Sequence, residues 1–482
     1  MEIEDRLAAF RASRAQLEAA ILPLATSLDG RLFSFQASLL ELELQAGGYV
    51  MLESKGPSRL GQVVGMRLAR AEVAGVETAV RHVQGEGTIL EGSDRPFHDA
   101  TLRAATPDEV RSWAEREARP RARLRIGELT LAPGVGHELD AGGFDRHTFL
   151  CGQSGSGKTY SLGLMLERLL ADTELRLVIL DPNSDYVRLG RVREDADPAL
   201  AERYREVAAG VQVHSSSADA DQRLRLALRE LSTDVQAALL RLDPVADRDE
   251  YAELAAVLAD ERPPSLEALM ASERPEARRL VKRVTNLGLH EYGIWARGEP
   301  GSVLDALADD GPRCLVVDLG SLPSREEQAI AASAVLERLW SLRARRVPIL
   351  VVIDEAHNVC PGRAEDPLTA IAADTVVRIA AEGRKFGLYL LVSTQRPQKV
   401  HENVISQADN LVLMRLNSAA DAAFAQAVFS FVPPELVARS ATFRLGEALV
   451  AGKISSHPAL LRFGARVAEE GGADVPATWA GG

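Results

Sequence analysis

Apolar positions along this chain fall into distinct textures, each predicting a different kind of element. Over residues 1–27, Leu7, Phe10, Leu17 and Ile21 recur at helical spacing, and Pro23 lies where such a helix should end. From Arg31 to about Gly92 the texture turns to short β-like runs: Leu32-Phe33-Ser34-Phe35, Tyr49-Val50-Met51-Leu52 and Gln62-Val63-Val64-Gly65-Met66. Between them stand Gly47-Gly48, Gly56-Pro57 and Gly85-Glu86-Gly87. Closely spaced strands with glycine punctuation predict a small barrel or sandwich, with a β-extension of a larger sheet as the plainer alternative. The stretch from Pro120 to Gly143, containing Pro133-Gly134 and Gly142-Gly143, reads as a linker.

Beyond it, apolar runs alternate with helical segments, the pattern of a parallel sheet. Strand candidates are His147–Cys151, Leu175–Leu180, Cys314–Leu319, Ile349–Ile353, Leu388–Ser393 and Asn410–Leu416. Between about 221 and 289 strand texture gives way to Ala, Leu, Glu and Arg at helical spacing, predicting a helical insertion. The expected division is a helix over 1–27, a barrel over 28–125, an α/β core over 126–466 and a loose Gly- and Ala-rich tail over 467–482.

The first chemistry lies in the core. Gly152-Gln153-Ser154-Gly155-Ser156-Gly157-Lys158-Thr159 is a full phosphate-binding loop. Thr148–Cys151 supplies the strand such a loop needs before it. A helix should follow from Tyr160, with Leu162, Met165, Leu166 and Leu169 on one face. Glycines let backbone N–H groups close around phosphates at the positive end of that helix. The residues expected to hold ATP are therefore Gly152 to Tyr160. Lys158 neutralises the β- and γ-phosphates, and the Thr159 hydroxyl binds Mg²⁺.

A second element is the buried-strand run Pro348–Ile353, ending in Asp354-Glu355. Asp354 is expected to hold Mg²⁺ through its waters and Glu355 to orient and deprotonate the attacking water. The Leu388–Ser393 run ends in Thr394-Gln395-Arg396-Pro397. Gln395 can reach a γ-phosphate there, since an amide both donates and accepts hydrogen bonds; a capping Thr before a Pro turn is the plainer reading. Asp181, opening Asp181-Pro182-Asn183-Ser184-Asp185-Tyr186, puts a carboxylate at the sheet edge where ligands bind in open α/β folds, unless it is a turn residue before proline.

Composition changes this picture little. Of 482 residues, 46% are hydrophobic and 26% charged, ordinary for a globular chain with room for a large core and smaller domains. No apolar run approaches the roughly 18 residues of a membrane span. The acidic Met1-Glu2-Ile3-Glu4-Asp5 start is unlike a signal peptide. Cys151, Cys314 and Cys360 are scattered, which fits a reducing cytoplasm. A net charge of −13 argues against a coat of basic patches, yet allows a ring with an acidic exterior and a few cations in its channel.

Asp354-Glu355-Ala356-His357 also spells the box of a helicase superfamily whose members carry two RecA-like halves. About 87 residues follow Gln395, too few for a second half, so His357 reads as a structural residue. A single RecA-like domain leaves its nucleotide open on one flank. A neighbouring subunit's arginine usually closes it, which implies a ring. Arg384, in Glu382-Gly383-Arg384-Lys385-Phe386-Gly387, offers such a cation.

Taken in order and spacing, these motifs resemble the HerA family, within the HerA–FtsK group of ring ATPases. Ile405-Ser406-Gln407-Ala408-Asp409-Asn410 and Gly446-Glu447-Ala448-Leu449-Val450 extend the likeness, which covers roughly residues 30 to 460. It departs at Asn183-Ser184, where many relatives carry His-Gly, and residues 1–27 have no counterpart. The resemblance implies a RecA-like P-loop core with an N-terminal barrel and inserted helices. It also implies a homo-hexamer that hydrolyses ATP and translocates or unwinds double-stranded DNA, with a separate nuclease or antiphage effector as partner. Arg384 matches the family's position proposed to reach the neighbour's ATP; Arg146 matches a second such arginine, against the plainer reading of a surface arginine at a strand entry. The competing expectation is an ATPase ring that serves chiefly as scaffold and regulator of a nuclease or NAD-consuming effector. No membrane partner is expected.

Overall fold

The computed structural model describes residues 22–38, 43–54, 56–73, 76–91, 95–117, 122–258, 266–271, 277–297, 301–308 and 310–472, together with 8, 11, 12 and 15. Most of the expected N-terminal helix, and residues 473–482 of the expected tail, lie outside the described residues. The chain forms two compact units. One comprises 1–121, 125–139 and 415–464, the other 122–124, 140–414 and 465–482. The expected boundary at 125/126 is thus replaced by an interleaved one.

In the first unit, β1 (Leu24–Ser27), β2 (Leu32–Ser38), β3 (Tyr49–Glu53), β4 (Arg59–Val73), β5 (Val76–Ile89) and β6 (Phe97–Ala104) close into a barrel in the order β1-β2-β5-β4-β3-β6. All of its strand pairs are antiparallel. Period-2 alternation turns Phe33, Phe35 and Ala37 inward, where they pack with Val50, Leu52, Val63 and Leu102. Two expectations are corrected. Leu24–Ser27, assigned to the N-terminal helix, is the first barrel strand, because Ala25 and Ser27 are buried in the alternating pattern. Gly85-Glu86-Gly87 is not punctuation but the interior of β5. A Cβ at Gly87 would lie 2.2 Å from the Phe33 ring and one at Gly85 2.3 Å from the Phe35 ring, so the glycines make room for the aromatics.

After α1 (Pro107–Glu117) the expected linker is instead a pair of neighbouring strands, β7 (Arg123–Leu129) and β8 (Gly136–Asp140). Leu124, Ile126 and Leu129 are buried and alternate with accessible positions, while Pro133-Gly134 only turns the chain between the strands.

The second unit is a parallel sheet. Its strands are β9 (His147–Cys151), β10 (Arg176–Asp181), β11 (Val211–Ser215), β12 (Gln222–Arg223), β13 (Cys314–Asp318), β14 (Ile349–Ile353), β15 (Leu388–Thr394) and β16 (Ala408–Leu413). They run in the order β12-β11-β13-β10-β14-β15-β9-β16, each neighbouring pair parallel. Every residue of β9, β10, β13 and β14 is buried, as continuous apolar runs under helices on both faces require. Parallel register brings Cys151, Asp181, Asp318, Ile353 and Thr394 to one edge. β15 stands between the strand feeding the phosphate loop and the strand ending in Asp354-Glu355.

Helices α2 (Lys158–Asp172) and α3 (Pro198–Ala208) precede the inserted stretch. It holds α4 (Thr233–Leu239), α5 (Arg248–Leu258), α6 (Leu266–Met270) and α7 (Ala277–Asn286). On α7, Arg278, Arg279 and Lys282 face solvent, whereas Arg283 is held by Asp247 at 2.7 Å and by Glu250. The first unit recovers the chain through β17 (Glu447–Gly452) and β18 (Ala459–Phe463), antiparallel to one another, with β18 antiparallel to β7.

Candidate active site

The loop Gly152–Thr159 leaves β9 and turns directly into α2. Gly155 (φ 71°) and Gly157 (φ 90°) sit in the left-handed region that side chains resist. Gly157 caps α2 without a side-chain hydrogen bond, so the N–H groups of the first turn have no intramolecular acceptor from the cap. The buried Ser156 hydroxyl is likewise without a partner among the described residues. Several convergent donors at a helix N-terminus fit the phosphates of a nucleotide.

Lys158 is buried, its Nζ 2.6 Å from Asp354 Oδ1, 3.0 Å from Glu355 Oε1 and 3.3 Å from Ser393 Oγ. Burial alone would lower its pKa, but the charges of Asp354 and Glu355 outweigh it and hold the ammonium above the usual lysine range. The Tyr186 hydroxyl donates to Asp354 Oδ2 at 3.2 Å. Glu355 adopts φ 41°, unusual for a residue with a side chain; such backbone strain concentrates at functional sites. Its Oε1 accepts from Gln395 Nε2 at 2.7 Å, and its Oε2 lies 3.4 Å from the Gln395 N–H and 3.3 Å from His357 Nδ1. Phosphate loop, acidic pair and the tip of β15 are therefore one cluster. It holds a base beside a cation and an amide able to bind a transferring phosphoryl group.

Asp181 enters this edge differently from the expectation. Its carboxylate accepts the N–H groups of Asn183 (3.3 Å), Asp185 (3.0 Å) and Tyr186 (2.8 Å), so it organises the turn. Burial pushes it up to about 7 against those bonds. The carboxylate of this turn that feels the charges of the cluster is Asp185. Burial first, then the charge of Asp354, raises it to about 6, with Lys158 opposing. Ser184, at φ 61°, stands in a conformation that glycine adopts freely. Its hydroxyl donates to Asp318 at 2.6 Å, which anchors the serine there. Tyr160 lies in the first turn of α2, and its hydroxyl accepts the Arg466 N–H at 2.9 Å, beside the buried Arg466–Glu167 ion pair at 2.7 Å. Sequence reasoning missed Asp185, Tyr186 and Ser393. Asp185 and Tyr186 could have been found by asking which residue of a capped turn faces back over the sheet edge.

Residues 124–339 match the family described as "Helicase HerA, central domain". The DNA double-strand break repair helicase HerA of Pyrococcus furiosus is 25% identical over 390 residues, covering 70% of this chain and 69% of that protein. The protein of the same name from Saccharolobus solfataricus is 24% identical over 391 residues, covering 76% and 73%. The chain is similar to the HerA ATPases over most of its length. It is an ATP-hydrolysing enzyme of helicase type. Among solved structures, VirB4 of Thermoanaerobacter pseudethanolicus is 15% identical with a TM-score of 0.47, covering 72% of this chain and 98% of that one.

In the HerA-like chain both expected arginines converge on Asp409. Arg384 Nη1 lies 2.8 Å and Arg146 Nε 3.5 Å from the same oxygen, Oδ2. His147 explains why they meet. Its Nδ1 accepts the Leu390 N–H at 3.0 Å and its Nε2 donates to the Ala380 carbonyl at 3.0 Å, tying the start of β9 to β15 and to α8 (Pro367–Glu382) just before Arg384. With both nitrogens engaged in the neutral form, burial first and the two arginines next lower its pKa to about 4. A depressed imidazole contributes stability that is complete above its unfolded value near 6.5 and drains away as pH falls towards 4. Asp181 and Asp185 titrate in the opposite sense, so the ring itself is the informative observable. The His147 resonance is expected to titrate near pH 4 in an NMR pH series; a midpoint at the ordinary histidine value contradicts this arrangement.

Proposed function

We propose that this ATPase works as a homo-hexameric ring that translocates or unwinds double-stranded DNA, with Mg²⁺ as cofactor and a separate nuclease or antiphage effector as partner. The carrying observation is a single cluster of Lys158, Asp354, Glu355 and Gln395 in a chain whose two candidate arginines gather apart from it, on Asp409. One-domain sites of this kind are completed by a neighbour. The HerA relatives, named as DNA double-strand break repair helicases, support DNA as the substrate. Thr159 and Asp354 would hold the metal. When bound it supplies charge neutralisation of the phosphates. A cytoplasmic location belongs to the same proposal and is supported by three buried cysteines that are not joined in disulfides. No helix among the described residues is long and apolar enough to cross a membrane.

The deciding experiment measures ATP turnover by the purified protein with and without duplex DNA over a salt series. Turnover is expected to rise with DNA, and binding to weaken as salt rises, because phosphate contacts release counterions. Turnover indifferent to DNA would favour the scaffold reading, and salt-insensitive binding would count against contacts with the backbone.

A further inference from the structure

We propose that His357 is a positioning residue for Glu355: it keeps the carboxylate aimed once the other side-chain donors are committed to phosphate. The inference rests on Glu355 being the water-activating base. Its carboxylate is held at both oxygens. Oε1 takes Lys158 Nζ at 3.0 Å and Gln395 Nε2 at 2.7 Å; Oε2 takes the Gln395 N–H at 3.4 Å and faces His357 Nδ1 at 3.3 Å. Lys158 and the Gln395 amide are the groups assigned to the nucleotide's phosphates, so that assignment removes both side-chain donors from Oε1. The holds left are on Oε2: a long backbone N–H contact and the imidazole.

A carboxylate 3.0 Å from a lysine ammonium is ionised and can only accept, so the contact with His357 holds in the form whose Nδ1 carries the hydrogen. The ring in turn is anchored. Nδ1 lies 3.1 Å from Thr394 Oγ1, whose oxygen accepts the Arg396 N–H at 2.9 Å. The imidazole thus bridges the base to the tip of β15, the strand that carries Gln395. Glu355 has three rotatable side-chain bonds and a backbone at φ 41°, so little else in its own residue restricts where the carboxylate points. Mispointing a reacting group by about 1 Å costs up to about 100-fold in rate.

The test uses the full-length protein. His357→Ala should lower kcat by about 10- to 100-fold, with KM for ATP and the dissociation constant of a fluorescent ATP analogue changed by less than about twofold. His357→Asn places an amide N–H where Nδ1–H stood and should recover most of the loss. A readout independent of turnover is the double-mutant cycle of His357→Ala and Glu355→Ala in urea unfolding without nucleotide, where the midpoint shifts should be non-additive. Three results overturn the proposal while Glu355→Gln is inactive: normal kcat in His357→Ala, no recovery in His357→Asn, or additive midpoints. Near-normal turnover in Glu355→Gln removes the base assignment itself, and the positioning role with it.

Discussion

Glu355→Gln is expected to bind ATP as the parent does and to lose about 10²- to 10⁴-fold in turnover. The amide is nearly the same size and keeps one oxygen, so the hold from Gln395 and the packing of this buried position survive. It cannot take a proton from water. The companion variant fails for a different reason. Lys158→Ala removes the only cation that lies within hydrogen-bond reach of both Asp354 and Glu355 among the described residues. Two buried carboxylates then face each other without compensation, and bound phosphates lose their counter-charge. Weak nucleotide binding is therefore expected from Lys158→Ala, against normal binding and stalled hydrolysis from Glu355→Gln. Equilibrium binding of a fluorescent ATP analogue, set beside phosphate release, separates the two. Near-parental phosphate release by Glu355→Gln would show that another group activates the water.

The parts of this site legible beforehand were those whose chemistry is local. A strand, a glycine loop and a helix in immediate succession fixed Lys158 at a helix N-terminus, and a fully apolar strand ending in Asp-Glu placed two carboxylates at a sheet edge. Parallel strands end together, so the two had to meet. What could not be read was which side chain of a loop faces the centre. Asp181 has the better position in the sequence, directly at a strand end, yet its oxygens are consumed by the turn it caps, and Asp185 is the carboxylate that feels the charges of Asp354 and Lys158. His357 reads as structural from its motif alone, which leaves open what its ring touches. In the first unit glycine and proline signal breaks in the sequence that the fold does not make. In β5 the glycines face Phe33 and Phe35, and between β7 and β8 Pro133-Gly134 is only a turn. Long-range packing decides such cases, and no window of sequence contains it.

Arg384→Ala should leave ATP binding and assembly largely intact while removing about 10³- to 10⁵-fold of hydrolysis, the range such arginines contribute in other P-loop enzymes. The guanidinium is a planar multi-donor group suited to charge spread over phosphoryl oxygens. Within its own chain it is engaged with Asp409 at 2.8 Å, in a pair with side chains 36% and 43% exposed. Exposed ion pairs contribute only about 0–1 kcal/mol, so withdrawing Arg384 from Asp409 towards a neighbour's phosphate costs little. Arg146, on the same carboxylate oxygen, is the natural second candidate. Mixing two inactive variants, Arg384→Ala and Lys158→Ala, under conditions where subunits exchange decides whether the arginine acts in trans. A Lys158→Ala subunit keeps its arginine and can lend it to an Arg384→Ala neighbour whose phosphate loop is intact, so part of the activity should return. Verified mixed rings that stay inactive, while each variant mixed with the parent keeps partial activity, would place Arg384 within its own subunit's function. The same mixing with Arg146→Ala would then test the second arginine of the pair.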